Sequence, residues 1–388
     1  MIAAAGQLKE ACADVVVVLG GHHVSGMKSL VAVPPVDYVV IGEGDHAICE
    51  LTDALSTSSQ PRRRIAGVVA SWDRHAKIET RPRIRQLDDL PFAMRNADTL
   101  RSSRVYALAY PPPSEQTAVA QISYSRGCVF SCPFCASPQT WGQEVYWRSP
   151  QHLSDEVRVL SEQYGVNLLF FTDLTFNLNE QRVLALCDRF EAQHLDMTWF
   201  AMCGFVRTGH EMFRRMARAG CTKIGWGIET LIDHSLTRVK KHQSLETITA
   251  TLEAADAAGI INRAYLMIGY PWQTQADLNN SLRLLLTIPV DEIKISFYTP
   301  FPGTPAYGQY EPELRTKDFS QFDTDHPVLN TADMIAEELV DARRSFFSRF
   351  YESSAYDARW KEKVRRFPHL KKSYDELFAF LHDRKIII

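Results

Sequence analysis

The stretch Ser125-Arg126-Gly127-Cys128-Val129-Phe130-Ser131-Cys132-Pro133-Phe134-Cys135-Ala136 places three thiols within eight residues. Spacings of four and three would align Cys128, Cys132 and Cys135 on one face of a helix, as a small apolar stripe. Pro133 speaks against that helix because it removes a backbone donor from its middle, and Gly127 suits a chain that folds back on itself. A loop wrapping a ligand is therefore expected. Three soft anionic donors on a short loop suit iron–sulfur ligation. A closed cluster or a structural zinc site takes four ligands, so three cysteines leave one metal position open. A zinc site would need a fourth ligand, for which His152 and His194 are the candidates.

Working outward, residues 118–124 form a strand that runs into the cysteine loop, and Ser149-Pro150 opens a helix reaching about Tyr164. Further strands are expected at 168–172, 197–203, 223–228, 264–268 and 293–298, with helices at 179–193 and 209–219. Six alternations with right-handed crossovers argue for a partial (β/α) barrel, whose site lies where strands meet the following loops. Amphipathic helices at 333–351 and 373–382 would close it.

The Cys-x3-Cys-x2-Cys spacing, with an aromatic residue before the last cysteine, resembles the signature of the radical S-adenosylmethionine (SAM) enzymes. The resemblance covers about residues 118–307. It implies that Cys128, Cys132 and Cys135 hold a 4Fe–4S cluster whose remaining iron is chelated by the amino and carboxylate groups of SAM. Reduction then splits SAM to methionine and a 5′-deoxyadenosyl radical. Thr172-Asp173-Leu174-Thr175-Phe176 resembles the Asp-x-x-Phe variant of the motif that holds the SAM amino group, which selects Asp173; a helix N-cap is its plainer role. Gly225-Trp226-Gly227-Ile228-Glu229-Thr230 resembles the Gly-x-Glu-Ser segment, which makes Glu229 a ribose or amine acceptor; the alternative is an ion pair with Lys240 or Arg207. Arg207 is the cation for the SAM carboxylate, with a surface arginine as the alternative. Ile268-Gly269-Tyr270-Pro271 resembles the segment on which adenine packs, and Phe134 would shield the cluster and offer its backbone to adenine. The family's Pro-Gly-Glu-Thr continuation is replaced here by Trp272-Gln273-Thr274. Thr299-Pro300-Phe301-Pro302-Gly303-Thr304-Pro305 matches the closing loop of the cobalamin-type subfamily.

Upstream, Val15-Val16-Val17-Val18-Leu19 ends at Gly20-Gly21, and Val36-Asp37-Tyr38-Val39-Val40-Ile41 ends at Gly42-Glu43-Gly44. Apolar strands closed by glycines and separated by helices indicate a parallel, doubly covered sheet. Together with His22-His23 they resemble the later half of the cobalamin-binding domain that precedes many radical SAM enzymes. The early strands of that domain, with their Asp-x-His-x-x-Gly and Ser-x-Leu motifs, are not in this sequence. The expected order is a truncated Rossmann-like half-domain over 1–60, a hairpin and linker over 61–115, the radical SAM partial (β/α)6 barrel over 116–310, and a C-terminal helical extension over 311–388. The hairpin pairs 65–70 with 77–81, and Pro111-Pro112-Pro113 is a stiff spacer.

A chain of 388 residues, 45% hydrophobic and 23% charged, supports one large or two ordinary cores. Its net charge of −3 gives no basic field for nucleic acid. The basic stretch 359–372, whose one acid is Glu362, reads as a solvated helix face. No apolar run has membrane-spanning length, and the opening residues meet Lys9 and Glu10 too early for a signal peptide. Cys12, Cys49, Cys187, Cys203 and Cys221 stand singly, as small buried thiols do. An exposed low-potential cluster beside unpaired thiols calls for a reducing cytoplasm. The family resemblance implies a small-molecule substrate and a reductant such as flavodoxin or ferredoxin. The reaction expected if cobalamin binds is methyl transfer to an unactivated carbon, although the half-domain is too small to bury a corrin alone. The alternatives are cobalamin-independent cyclisation, rearrangement or C–C bond formation, and, outside enzymes, an electron-transfer module.

Overall fold

The computed structural model describes residues 2–27, 32–57, 64–73, 78–96, 100, 118–194 and 197–384; the triproline spacer lies outside them. The chain forms two compact units. The first comprises Met1–Arg85, Gly127–Tyr146 and Pro300–Pro312, and the second Gln86–Arg126, Trp147–Thr299 and Glu313–Ile388.

In the first unit, β1 (Val18–Leu19) and β2 (Tyr38–Val40) pair in parallel, and β3 (Val68–Ala70) joins β2 antiparallel. This corrects the expected hairpin. Every residue of β2 is buried, and its free edge takes the β-branched pair Val68-Val69 in the register Tyr38↔Ala70. Residue 77 of the expected hairpin lies outside the described residues; of 78–81, the Glu79 carbonyl accepts the Gly67 N–H at 2.8 Å. Helices Ile2–Ala11 and Asp45–Thr57 flank the strands, and Val17, Val24, Val36, Val39 and Val69 form a small core. Cys12 and Cys49 are exposed rather than buried.

The second unit is built on six parallel strands: β4 (Val119–Ile122), β5 (Leu168–Phe171), β6 (Thr198–Cys203), β7 (Cys221–Glu229), β8 (Ile261–Ile268) and β9 (Glu292–Phe297). Their order in the sheet is their order in the chain, with β4 and β9 at the two edges. Without a reversal of strand order, right-handed crossovers keep the helices on one face and the sheet curls toward a barrel that stays open. Ala120, Leu169, Phe171, Trp199, Ile224 and Trp226 enter one continuous core with those helices. Each large side chain so buried contributes roughly 1.5–3 kcal/mol.

Local signals set the helix starts. Ser149 caps helix Pro150–Tyr164 by accepting the His152 N–H at 3.1 Å, with Pro150 at the first helical position. Asn179 caps Glu180–Ala192 in the same way, through the Arg182 N–H.

The C-terminal helices are Ala336–Tyr351, Ser354–Arg366 and Lys371–Asp383. Lys361, Arg365, Lys371 and Lys372 face solvent as the reading of 359–372 expected, and Lys363 and Arg359 do not. Lys363 is 1% exposed and binds Asp291 at 2.5 Å, Asp256 at 3.0 Å and the Ile260 carbonyl at 2.7 Å. Arg359 donates to the carbonyls of Val290 and Leu286. No helix among the described residues is long and apolar enough to cross a membrane.

Candidate active site

The cysteine loop belongs to the first unit. Gly127 enters it at φ +115°, where a side chain would strike the Glu144 carbonyl, so only glycine turns the chain there. Arg83 donates to that same carbonyl at 2.6 Å, and its guanidinium also meets the buried Glu43 at 3.3 Å. Pro133 and Phe134 form the middle of a turn closed by the Cys135 N–H on the Cys132 carbonyl at 3.1 Å. The Pro133 carbonyl in turn accepts the Ala306 N–H at 3.0 Å, which fastens the loop to the segment after Thr304. Cys128, Cys132, Cys135 and Phe134 are all half-buried, and none of the eight cysteines is in a disulfide.

Among the described residues no three His, Cys, Asp or Glu side chains are gathered closely enough to hold one metal ion. A tetrahedral zinc site takes four ligands, and the loop offers three. A 4Fe–4S cluster asks less convergence, because each thiolate binds its own iron. His152 is engaged with Arg148 at 3.0 Å, and His194 ends a helix in a left-handed turn at φ 49°. Three half-buried soft donors on a proline turn suit the iron–sulfur group.

The remaining candidates sit at strand ends of the second unit. Asp173, just past β5, is 2% exposed and both its oxygens are taken. Oδ2 accepts the Tyr124 N–H at 2.9 Å; Oδ1 accepts the Ser125 N–H at 2.6 Å and its hydroxyl at 2.5 Å. The carboxylate thus clamps the residues that leave β4, while the cap of the next helix falls to Asn179. Burial pushes its pKa up to about 6, against the opposing pull of the Ser125 and Tyr124 donors.

The sign of the consequence follows from linkage. With the folded pKa above the ordinary aspartate value, Asp173 favours the folded state in acid, and that contribution is lost as the pH rises through about 6. Asp173→Asn has no such titration. The stability of the parent relative to this variant should fall by up to about 3 kcal/mol between pH 4 and 7, as read from paired thermal unfolding. A constant difference would contradict the assignment.

Glu229 closes β7 with φ 63°, at a bulge where Tyr265 pairs with Gly227 and Leu266 with Glu229. A bulge and a left-handed non-glycine residue at a strand end re-aim a side chain at the cost of local strain. Of the alternatives for its ion pair, neither Lys240 nor Arg207 is the partner. Lys241 is, at 3.1 Å, and its ammonium also donates to the Gly227 carbonyl at 3.0 Å. Lys240 occupies the left-handed position that ends helix Asp233–Arg238, and the next residue returns its N–H to the Leu236 carbonyl.

Gly269 follows β8 at φ +83°, and its N–H donates to Oε1 of Gln273, which is 1% exposed. Tyr270 stacks on Trp272 at 5.1 Å and reaches the Glu229 carbonyl at 3.5 Å, so the ends of β7 and β8 touch. Arg207 lies exposed on the loop after β6 and joins none of these groups among the described residues. Lys241 and Gln273 were not expected. Gln273 stands where the resembling segment has glutamate, a signal that was available in the sequence; Lys241 carried none.

A family model described as the Radical SAM superfamily matches residues 122–285. An uncharacterized methyltransferase of Pyrococcus horikoshii is 26% identical over 346 residues, covering 87% of this chain and 72% of the relative. The anaerobic magnesium-protoporphyrin IX monomethyl ester cyclase of Rubrivivax gelatinosus is 22% identical, covering 90% of this chain and 62% of its own length. The fold is similar to that of the radical SAM methyltransferase TsrM from Kitasatospora setae, solved with cobalamin and a 4Fe–4S cluster bound. The TM-score is 0.65 at 20% identity, over 86% of this chain and 68% of that one. It is also similar to the cobalamin-dependent radical enzyme OxsB with aqua-cobalamin bound, at TM-score 0.67 and 14% identity, over 98% of this chain and 64% of that one. With its Cys-x3-Cys-x2-Cys loop and five of its six parallel strands in sequential order inside or touching the matched residues, the chain carries a radical SAM domain over residues 122–285.

Proposed function

We propose that the protein transfers a methyl group to an unactivated carbon of a small biosynthetic molecule. The observation that carries this is the cysteine triad on its proline turn, within a domain whose relatives include a named methyltransferase. Cys128, Cys132 and Cys135 would hold a 4Fe–4S cluster and leave one position for SAM. Such a cluster, reduced by a flavodoxin- or ferredoxin-type partner in a reducing cytoplasm, would supply the electron for SAM cleavage.

The other residues bind and orient. Glu229 accepts hydrogen bonds from the ribose or amine of SAM, and Lys241 holds that carboxylate in place. Arg207 neutralises the SAM carboxylate. Gly269 lets the adenine approach backbone, and Phe134 keeps water from the cluster. Asp173, with both oxygens engaged, acts as a positioning residue for the entry to the cysteine loop rather than as a direct ligand.

Cobalamin is the expected methyl carrier, and the first unit offers it backbone at two strand ends. Gly21, at φ +99°, faces open space, and Gly42 turns at φ +76° with only the Thr140 carbonyl near. Anaerobic loading with methylcobalamin, desalting and absorbance spectroscopy test this. Corrin should stay with the protein, and S-adenosylhomocysteine should accumulate during turnover. A chain that retains no corrin and yields 5′-deoxyadenosine alone would be a cobalamin-free radical enzyme, and the methyl-transfer reading would fall.

A further inference from the structure

The second unit contains a cavity of 610 Å³ beside the edge strand β9, within the size range of small-molecule sites. Ile295 of that strand, Val340 and Phe347 of helix Ala336–Tyr351, and Phe380 of the last helix give it an apolar wall. Its polar lining is one-sided: five cations, Arg263, Lys294, Arg343, Arg344 and Arg384, against one carboxylate, Asp325.

Three of those cations are already paired. Arg343 meets Asp325 at 3.0 Å, and Arg344 meets Asp341 at 3.2 Å. Arg263, 2% exposed at the base, meets Glu292 at 2.5 Å, but Glu292 also binds Lys223 at 2.6 Å, so one carboxylate serves two cations. Lys294 and Arg384 have no ion pair among the described residues. Even after counting the neighbouring acids, the cavity keeps an excess of positive charge beside hydrocarbon.

Its place in the fold separates it from the chemistry. Arg263 and Lys294 are each the third residue of their strand. Gly269, at the other end of β8, is six residues further on, about 20 Å along the strand. Parallel barrels keep their reacting groups at the carboxyl ends of the strands.

We infer that this cavity is a second binding site, for an amphiphile with an anionic head, carboxylate or phosphate, on an unbranched apolar body. The head is held by Lys294 and Arg384, with Arg263 adding positive charge to the lining, and the body lies against Phe347 and Phe380. Charge-assisted hydrogen bonds select the head, and burial of the chain supplies the rest of the affinity.

Calorimetric titration of the full chain with octanoate, octyl phosphate, inorganic phosphate and octanol tests it. At least one octyl anion should bind tenfold or more tighter than both inorganic phosphate and octanol, and the stronger of the two identifies the head group. Lys294→Glu, at an exposed position, should weaken that binding about tenfold with the melting temperature unchanged. Arg384→Glu, outside the sheet, gives the same reading should the first variant melt early. Octyl anions that bind no better than inorganic phosphate or octanol would overturn the assignment, as would affinity that survives both charge reversals.

Discussion

Alanine at Cys128, Cys132 or Cys135 should abolish SAM cleavage, lowering it at least about a thousandfold, whereas Cys187→Ala should leave it intact. A cluster held by only three thiolates has no spare ligand. Each single variant should therefore hold clearly less than the roughly four irons per chain expected of the parent. Cys187 differs in its surroundings. It is 1% exposed within helix Glu180–Ala192, and burial pushes its thiol up to about 12, so it stays protonated and is a poor ligand. Burial likewise raises Cys203 and Cys221. Iron content, 5′-deoxyadenosine yield and circular dichroism on the same samples distinguish lost ligation from lost fold. Parent-like cleavage in any of the three triad variants would remove the basis of the site.

The largest effect on stability should come from Lys363→Met. Lys363 is shared by the buried Asp291 and the half-buried Asp256. Asp291 uses its remaining capacity on the Tyr374 hydroxyl at 2.6 Å and the Asn262 N–H at 2.7 Å, while Tyr356 donates to its backbone carbonyl. Burial by itself would raise the Asp256 pKa; Lys363 and Arg366 outweigh it and hold the group below its usual range. Removing the ammonium strands a buried negative charge, which costs about 3–5 kcal/mol, or about 6–20 °C in melting temperature for a unit of this size. Lys363→Met combined with Asp291→Asn should recover part of the loss, because the pair is then removed rather than broken. A shift below about 2 °C in the single variant would mean that the network does not tie the C-terminal helices to the barrel.

The parts of this molecule that sequence reveals are those governed by local rules. Ser149-Pro150 and Asn179 announce their helices through capping chemistry; the apolar run at 168–171 marks a strand buried on both faces, and the alternation of Ile293, Ile295 and Phe297 marks another. The cysteine triad is legible for the same reason, since its spacing and proline lie within one turn. What escaped was choice of partner at long range. Glu229 had two plausible cations, and the answer, Lys241, depends on how a helix end is wound. Asp173 reads as a ligand or a cap, yet its donors come from a strand 48 residues away. The burial of Lys363 could not be seen in a stretch whose neighbours Lys361 and Arg365 face solvent. The pairing of β3 with β2 was hidden because adjacency in sequence favoured a hairpin.

The most direct test of the central claim is SAM consumption by the anaerobically reconstituted full chain, loaded with iron and sulfide and reduced with dithionite. The account predicts that SAM is cleaved, with 5′-deoxyadenosine or S-adenosylhomocysteine appearing as it disappears, and that cleavage stops when the reductant is withheld. A chain carrying about four irons, fully reduced, that leaves SAM untouched would contradict it.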